Sequence, residues 1–405
     1  MPINKKFKML ILAAIILLVA SQGLQILLNS SNVFQDPNYR LNGTVGSKTY
    51  WMSLATDAWQ YFQVGTSVNL VTGLHVAGLE YPYFTDWDLG VYTQAIIDAE
   101  KLGIIGSGGA YGADWRFDKI LTFLESRPLM SDGQPYAWYR TDGKNRDNMP
   151  QVATDTANLL VSLNNLKIYR QDLASRINYI VYNRTNYKSQ CETVDALAGS
   201  INVYDYYVAS GFATFWPNRF SSEANTILNN IVNASTVQTY GVTVPKAKLT
   251  SEPLLLSVFN FEKPDMRLLN LSRQVYLAEE ARYKATGKYT AFSEGNIVGG
   301  NDVYYAWEWV VLPDGRTWVM TKDETSVISL TPIVFLKVAV GLEAIYRSNF
   351  TQSMVSALEP AAYSQNGFKD GVSENGQVEP SIVDKTNGMI LAAATYAINN
   401  NHVTS

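Results

Sequence analysis

Among 405 residues there is one cysteine and there are two histidines. Cys191 has no second thiol to pair with, so an intrachain disulfide and a cysteine zinc site are both excluded. With only His75 and His402, a histidine-based metal centre is nearly excluded as well. Charge is also scarce. Asp, Glu, Lys and Arg make up 17% of the chain, against about 25% in an average soluble domain. The 32 basic and 36 acidic residues leave a net charge of −4, without the basic footprint that nucleic-acid binding requires. No Gly-x-Ser-x-Gly elbow is present. The run GSGGAYG (106–112) follows a helical pattern instead of a strand, so it reads as a helix-terminating loop and not a dinucleotide phosphate loop. His75 reads as a structural turn residue and Cys191 as an inert thiol. No metal and no cofactor is expected.

What is abundant is apolar and aromatic. Hydrophobic residues reach 47%, with 25 Tyr and 9 Trp. The N-terminus places Lys5, Lys6 and Lys8 before an apolar stretch running to Leu28, the pattern of an export signal or anchor. Residues 1–28 are therefore expected to be a signal anchor or signal peptide, with the bulk of the chain outside the cytoplasm. Residues 29–46 read as a polar extracellular tether, and 47–405 as one domain. Sequons at Asn29, Asn42, Asn183, Asn233, Asn270 and Asn349 fit a secreted or cell-surface glycoprotein attached to the membrane through that helix.

From about Lys48 onward, helical periodicity recurs roughly a dozen times. Expected helices include Thr49–Val64, Asp88–Leu102, Phe117–Glu125, Thr154–Ile168, Ala174–Asn183, Val194–Val208, Ser222–Ile231, Ser251–Val258, Met266–Thr286, Asn349–Leu358 and Lys385–Ile398. Ser326–Tyr346 is apolar nearly all round and predicts a helix buried on every side. The clear strands are Val303–Leu312 and Arg316–Met320, joined at Pro313-Asp314-Gly315 as a hairpin. So many helices, some wholly buried, predict two concentric layers: an all-α (α/α)6 barrel carrying a small β-hairpin.

Polar residues open several of these helices: Asp88 in FTDWDLGVY, Asp155 in QVATDTANLL, Glu252 in KLTSEPLLL and Asn387 in DKTNGMIL. Each alone could simply cap its helix. In a helical barrel, however, alternate helices start at one rim, so these groups would converge on one cavity mouth. Glycoside hydrolysis needs such a meeting: one carboxylic acid protonates the leaving oxygen and a second carboxylate activates water or attacks the sugar. Glu294, in the glycine-rich FSEGNIVGGND, is a further candidate acid. Aromatic residues lie beside these acids, and their rings can stack on sugars: Trp87, Trp138 and Tyr139 (followed by Arg140), and Trp307 flanking Glu308. Glu252 or Glu294 is expected to donate the proton, and Asp88 or Asp155 to activate water. Two other readings use the same residues. One is a non-catalytic glycan-binding or cell-envelope protein. The other is a polysaccharide lyase drawing on Tyr139, Arg140 and Asn387.

The run NLVTGLHVAGLEYPYFTDWDLGVYTQAIIDAEKLGII (69–105) resembles the glucoamylase-like domains of cyclic β-glucan synthases, the endo-β-1,2-glucanases and the related DUF3131 proteins. FDKILTFLESRPLMSDGQPYAWYRTDG (117–143), ATDTANLLVSLNNL (153–166), SEPLLL (251–256), GFKDGV (367–372) and KTNGMILAAATY (385–396) follow in the same order. Thr156-Ala157 and Leu254 depart from the Ser-Gly and Arg of the family pattern. The resemblance spans about residues 50–398. It implies an (α/α)6 barrel acting on a β-glucan-like polysaccharide, with inversion, and places Asp88, Asp155 and Glu252 on acidic motif positions.

Overall fold

The structure, a computed structural model, describes residues 43–299, 302–323, 326–400 and 402. The expected N-terminal anchor, the first part of the tether and the sequons at Asn29 and Asn42 lie outside the described residues. Among the described residues, no helix is long and apolar enough to cross a membrane.

Thirteen α-helices occur among the described residues. They are α1 (Lys48–Trp59), α2 (Asp86–Lys101), α3 (Ala113–Ser126), α4 (Ala153–Tyr169), α5 (Ala174–Tyr179), α6 (Lys188–Asp195) and α7 (Val203–Ala213). Then follow α8 (Pro217–Val232), α9 (Ser251–Asn260), α10 (Met266–Thr286), α11 (Leu336–Tyr346), α12 (Asn349–Ala362) and α13 (Asp384–Asn399). Six of them form a closed inner ring: α2 packs on α4, α4 on α7, α7 on α9, α9 on α11, α11 on α13, and α13 back on α2. Outer helices back this ring, with α1 against α13, α3 against α2, α8 against α7, α10 against α9 and α12 against α11. The fold is mainly helical, an (α/α) toroid.

Sequence pattern sets the layer each helix occupies. In α8, Phe220, Ala224, Ile227, Leu228 and Ile231 are buried, a one-faced stripe at helical spacing that suits an outer position. In α11 every residue from Leu336 to Ala344 is buried, as an inner position requires. Small residues let the inner helices touch. A Cβ on Gly90 of α2 would meet the backbone of Asn158 on α4 at 2.7 Å, and one on Gly211 of α7 would meet Ala157 O of α4 at 2.8 Å.

The strand content exceeds a single hairpin. β1 (Tyr83–Phe84) pairs with β2 (Tyr139–Arg140), and β3 (Thr236–Thr239) with β4 (Val242–Pro245). β5 (Glu294–Gly299), β6 (Asp302–Val311), β7 (Thr317–Thr321) and β8 (Val327–Ile328) form an antiparallel four-stranded sheet in that order. β9 (Ile333–Phe335), the pair β10 (Tyr363–Ser364) and β11 (Gly367–Phe368), β12 (Gly371–Ser373) and β13 (Val378–Glu379) complete the set, with β12 between β9 and β13.

Three expectations change. The predicted helix Ser326–Tyr346 instead carries the short strands β8 and β9 and is helix only from Leu336. Pro332 disfavours helical backbone at the residue before it, and Ile333, Val334 and Phe335 pair with Ser373, Val372 and Gly371. The predicted helix Val194–Val208 breaks at Gly199. Asn202 then caps a new helix, its side-chain oxygen accepting from Tyr204 N at 3.1 Å. Glu294, whose glycine-rich sequence surroundings suggest a loop, opens β5 opposite Trp307.

Candidate active site

Inner helices that begin at one rim deliver their first turns to one place. A cavity of about 400 Å³ is lined there by Asp88 from α2, Asp155 from α4, Tyr204 from α7 and Lys385 from α13. The sheet adds Glu294 from β5 and Trp307 from β6, and the segment before β2 adds Trp138. Three of the four carboxylates singled out in the sequence therefore share one opening, together with Trp87, Trp138 and Trp307.

Asp88 completes a capping box. Its Oδ2 accepts from Thr85 N at 2.7 Å and from Thr85 Oγ1 at 3.1 Å, while Thr85 Oγ1 accepts from Asp88 N. Capping and cavity-lining are thus one role performed by one side chain. Burial, with the neighbouring Asp384 charge, pushes its carboxyl up to about 7 against the pull of Lys385. Asp155 is half-buried and makes no capping bond. Burial raises it to about 7 as well, helped by the charges of Asp88, Asp86 and Glu294. Glu294 behaves oppositely. Burial works to raise it, but Lys385 and Lys337 outweigh burial and hold its carboxyl below the usual value. Glu294 Oε1 accepts from Lys385 Nζ at 3.1 Å and from Tyr305 Oη at 2.8 Å. Two proton-holding carboxyls and one cation-stabilised carboxylate are thus gathered at one mouth, the separation of proton affinities that acid–base chemistry uses.

Five expected residues are placed elsewhere. Glu252 opens α9 but lies sealed beneath the cavity, its Oε2 accepting from Lys337 Nζ at 2.6 Å and Ser293 Oγ at 2.6 Å. Glu308 alternates with Trp307 and Trp309 along β6, so it points to the other face of the sheet. There its Oε1 accepts from Ile333 N at 2.7 Å. Tyr139 follows the cavity-lining Trp138 in the chain and turns the opposite way, into the core, donating to Pro128 O at 2.9 Å. Arg140 is on the surface, 3.3 Å from Asp142. Asn387 braces β11 through bonds to Phe368 N at 2.8 Å and Phe368 O at 3.0 Å. The trio proposed for a lyase, Tyr139, Arg140 and Asn387, is therefore not assembled.

Sequence reasoning passed over Lys385, Tyr305 and Tyr204. For Tyr204 a signal existed: Asn202 followed three residues later by Asp205 marks a helix start. His75 is wholly buried, with its Nε2 3.0 Å from Asp384 Oδ2, and burial pushes it down to about 4. Of the sequons among the described residues, Asn183, Asn233, Asn270 and Asn349 are all exposed. No group of three or more metal-ligating side chains occurs among the described residues.

The toroid is similar to solved structures of low sequence identity. An endo-β-1,2-glucanase from Chitinophaga pinensis, in complex with sophorotriose and glucose, is 14% identical with a TM-score of 0.59. The match covers 88% of this chain and 94% of that one. An endo-β-1,2-glucanase from Talaromyces funiculosus, in complex with sophorose, is 11% identical with a TM-score of 0.61, covering 92% and 87%. A D-mannose isomerase is 11% identical with a TM-score of 0.52, covering 88% and 98%. At these identities the likeness establishes the fold, and the fold alone hosts more than one chemistry. No curated protein sequence matches. The family described as "Protein of unknown function (DUF3131)" matches residues 53–400, and the chain belongs to it.

Proposed function

We propose that this protein is a glycoside hydrolase acting on a neutral, β-glucan-like polysaccharide. The observation that carries the reading is the meeting of Asp88, Asp155 and Glu294, from two helices and a strand, in one cavity beside Trp87, Trp138 and Trp307. The roles differ from those the sequence suggests. Asp155 is the proton donor, because burial and the surrounding carboxylates keep a proton on it near neutrality and no helix-capping bond engages it. Glu294 is the ionised partner that takes a proton from water, because Lys385 and Lys337 hold its charge. Asp88 sustains the proton on Asp155. Action through an activated water corresponds to inversion at the anomeric carbon. Trp138 and Trp307, both partly exposed, stack on the sugar faces.

The test is reducing-end release from β-1,2-, β-1,3- and β-1,4-glucans. Asp155→Asn is expected to lower turnover by about 10²–10⁴-fold, the usual range for a general acid, with the fold retained. Wild-type activity is expected to fall as pH rises through about 7, where Asp155 loses its proton, and to fall again only below the ordinary glutamate range. Equal turnover in Asp155→Asn and wild type removes the assignment. The Lys385–Glu294 ion pair favours a second reading, glycan binding without cleavage. That reading predicts saturable binding with no new reducing ends.

A further inference from the structure

The toroid is open at its other pole as well. There the C-terminal ends of α2, α4, α9 and α13 surround a second cavity of about 470 Å³, no smaller than the front one. The two do not communicate freely. Between them the axis narrows to about 20 Å³, room for about one water. Trp87 and Lys385 border that waist on the front side, and Gln94, Asn260 and Ala392 on the rear. A sugar held at the front cannot reach the rear through the ring.

The rear lining is built for hydroxyl groups. Asn260 is 8% exposed, and its side-chain oxygen has no hydrogen-bond partner among the described residues. A buried acceptor left in that state has lost its hydration with nothing to offset the loss. Close by, the amides are held in fixed orientation: Asn165 Nδ2 donates to Gln94 Oε1 at 2.9 Å and to Asn260 O at 3.0 Å. Gln94 Nε2 in turn donates to both carboxylate oxygens of the buried Asp98 at 3.2 Å. Phe259 and Tyr396 stand 5.3 Å apart with their planes at 55°, each partly open to solvent.

The unpartnered Asn260 oxygen and the fixed polar groups beside it call for a donor. A metal ion would also suit them, but no cluster of three ligating side chains occurs among the described residues. Lys101, its Nζ 5.3 Å from the Tyr169 ring centroid, already supplies positive charge at the rim. Aromatic faces beside fixed amides and carboxylate oxygens match the C–H face and hydroxyl edge of a neutral sugar. We propose that the rear cavity is a second, non-catalytic site for a neutral saccharide of one or two rings, distinct from the front cavity. It does not depend on hydrolysis at the front. In a protein that cleaves polymers it would tether a long strand to the molecule and so raise the effective concentration of the rest of that strand at the front.

The experiment is isothermal titration of the full chain, as the Asp155→Asn protein to prevent cleavage, with glucose tetrasaccharides of β-1,2, β-1,3 and β-1,4 linkage. Binding is expected to survive Trp307→Ala at the front and to weaken at least tenfold in Tyr396→Ala. Asn400→Trp, on the exposed rear rim, is expected to block the mouth with the same loss while leaving the core untouched, so a folding defect in Tyr396→Ala does not decide the matter. In the active protein, Tyr396→Ala is expected to leave kcat on a tetrasaccharide unchanged and to raise KM for long polymer severalfold. The proposal is overturned if no tetrasaccharide binds, or if binding is unmoved by both rear variants. Rear-dependent binding in a protein with no turnover on any glucan would overturn the hydrolase reading alone.

Discussion

Lys385 decides which carboxylate keeps its charge. Its Nζ lies 3.1 Å from Glu294 Oε1, 2.6 Å from Tyr305 Oη and 5.5 Å from the Trp87 ring centroid. The same cation lowers Asp88 and Asp155, but there burial is the larger effect and wins. In Lys385→Met both limbs of the pH–activity profile are expected to move to higher pH. Glu294 loses the cation that holds it ionised, so the acidic limb rises. Asp155 loses an opposing charge and keeps its proton longer, so the basic limb rises too. A profile measured on any cleaved glucan checks this, and a shift of one limb alone would contradict the assignment. Neither the cation nor its partners was legible as a set, because Glu294, Tyr305 and Lys385 are distant in sequence. Asn387, two residues on from Lys385, was the residue the motif drew attention to. A helix turns about 100° per residue, so two positions carry a side chain from the cavity to the opposite side of α13.

At the scale of elements, the contact between α2 and α4 sets how far Asp88 and Asp155 stand from each other. Gly90 makes that contact, since an added Cβ would meet Asn158 C and O at 2.7 Å. Gly90→Ala gains helix propensity of about 1 kcal/mol, yet overpacking against an unyielding backbone costs about 1–3 kcal/mol. The net expectation is a destabilisation of up to about 2 kcal/mol in denaturant unfolding, with activity reduced because the two carboxyls are pushed apart. Most helices were legible at this scale, and Met266–Thr286 was read to its ends. The exceptions have local causes. Pro332 and the β-branched pair after it converted a helical reading into β9. The strand period of two sent Glu308 away from Trp307, although the two are neighbours in the chain.

At the scale of the whole molecule, the interior carries an unusual load of proton-holding carboxyls. Burial raises Asp98 to about 6, Glu343 to about 7 and Glu279 to about 8. Each therefore binds its proton more tightly folded than unfolded. The stability it contributes is complete below the unfolded carboxyl range and is lost as pH climbs through 6 to 8. His75, lowered to about 4, has the opposite sign between pH 4 and 6.5, but it is one group against several. The melting temperature is expected to be lower at pH 8 than at pH 5.5 by about 5 °C or more. A flat or rising curve would show that these carboxyls are not buried as described. The division between sequence and structure falls along the same lines. Local pattern alone determined most of the helices, the two-layer arrangement and the polar residues at helix starts, because propensity, capping and amphipathicity act over a few residues. It determined too that Asp88 and Asp155 open helices, Asp88 directly after Trp87. Only the closed ring decided which of those starts share a cavity, that Glu252 is sealed under Lys337, and which carboxyl holds a proton. Those outcomes depend on burial and on charges brought together from distant parts of the chain, and neither exists until the six inner helices close on one another.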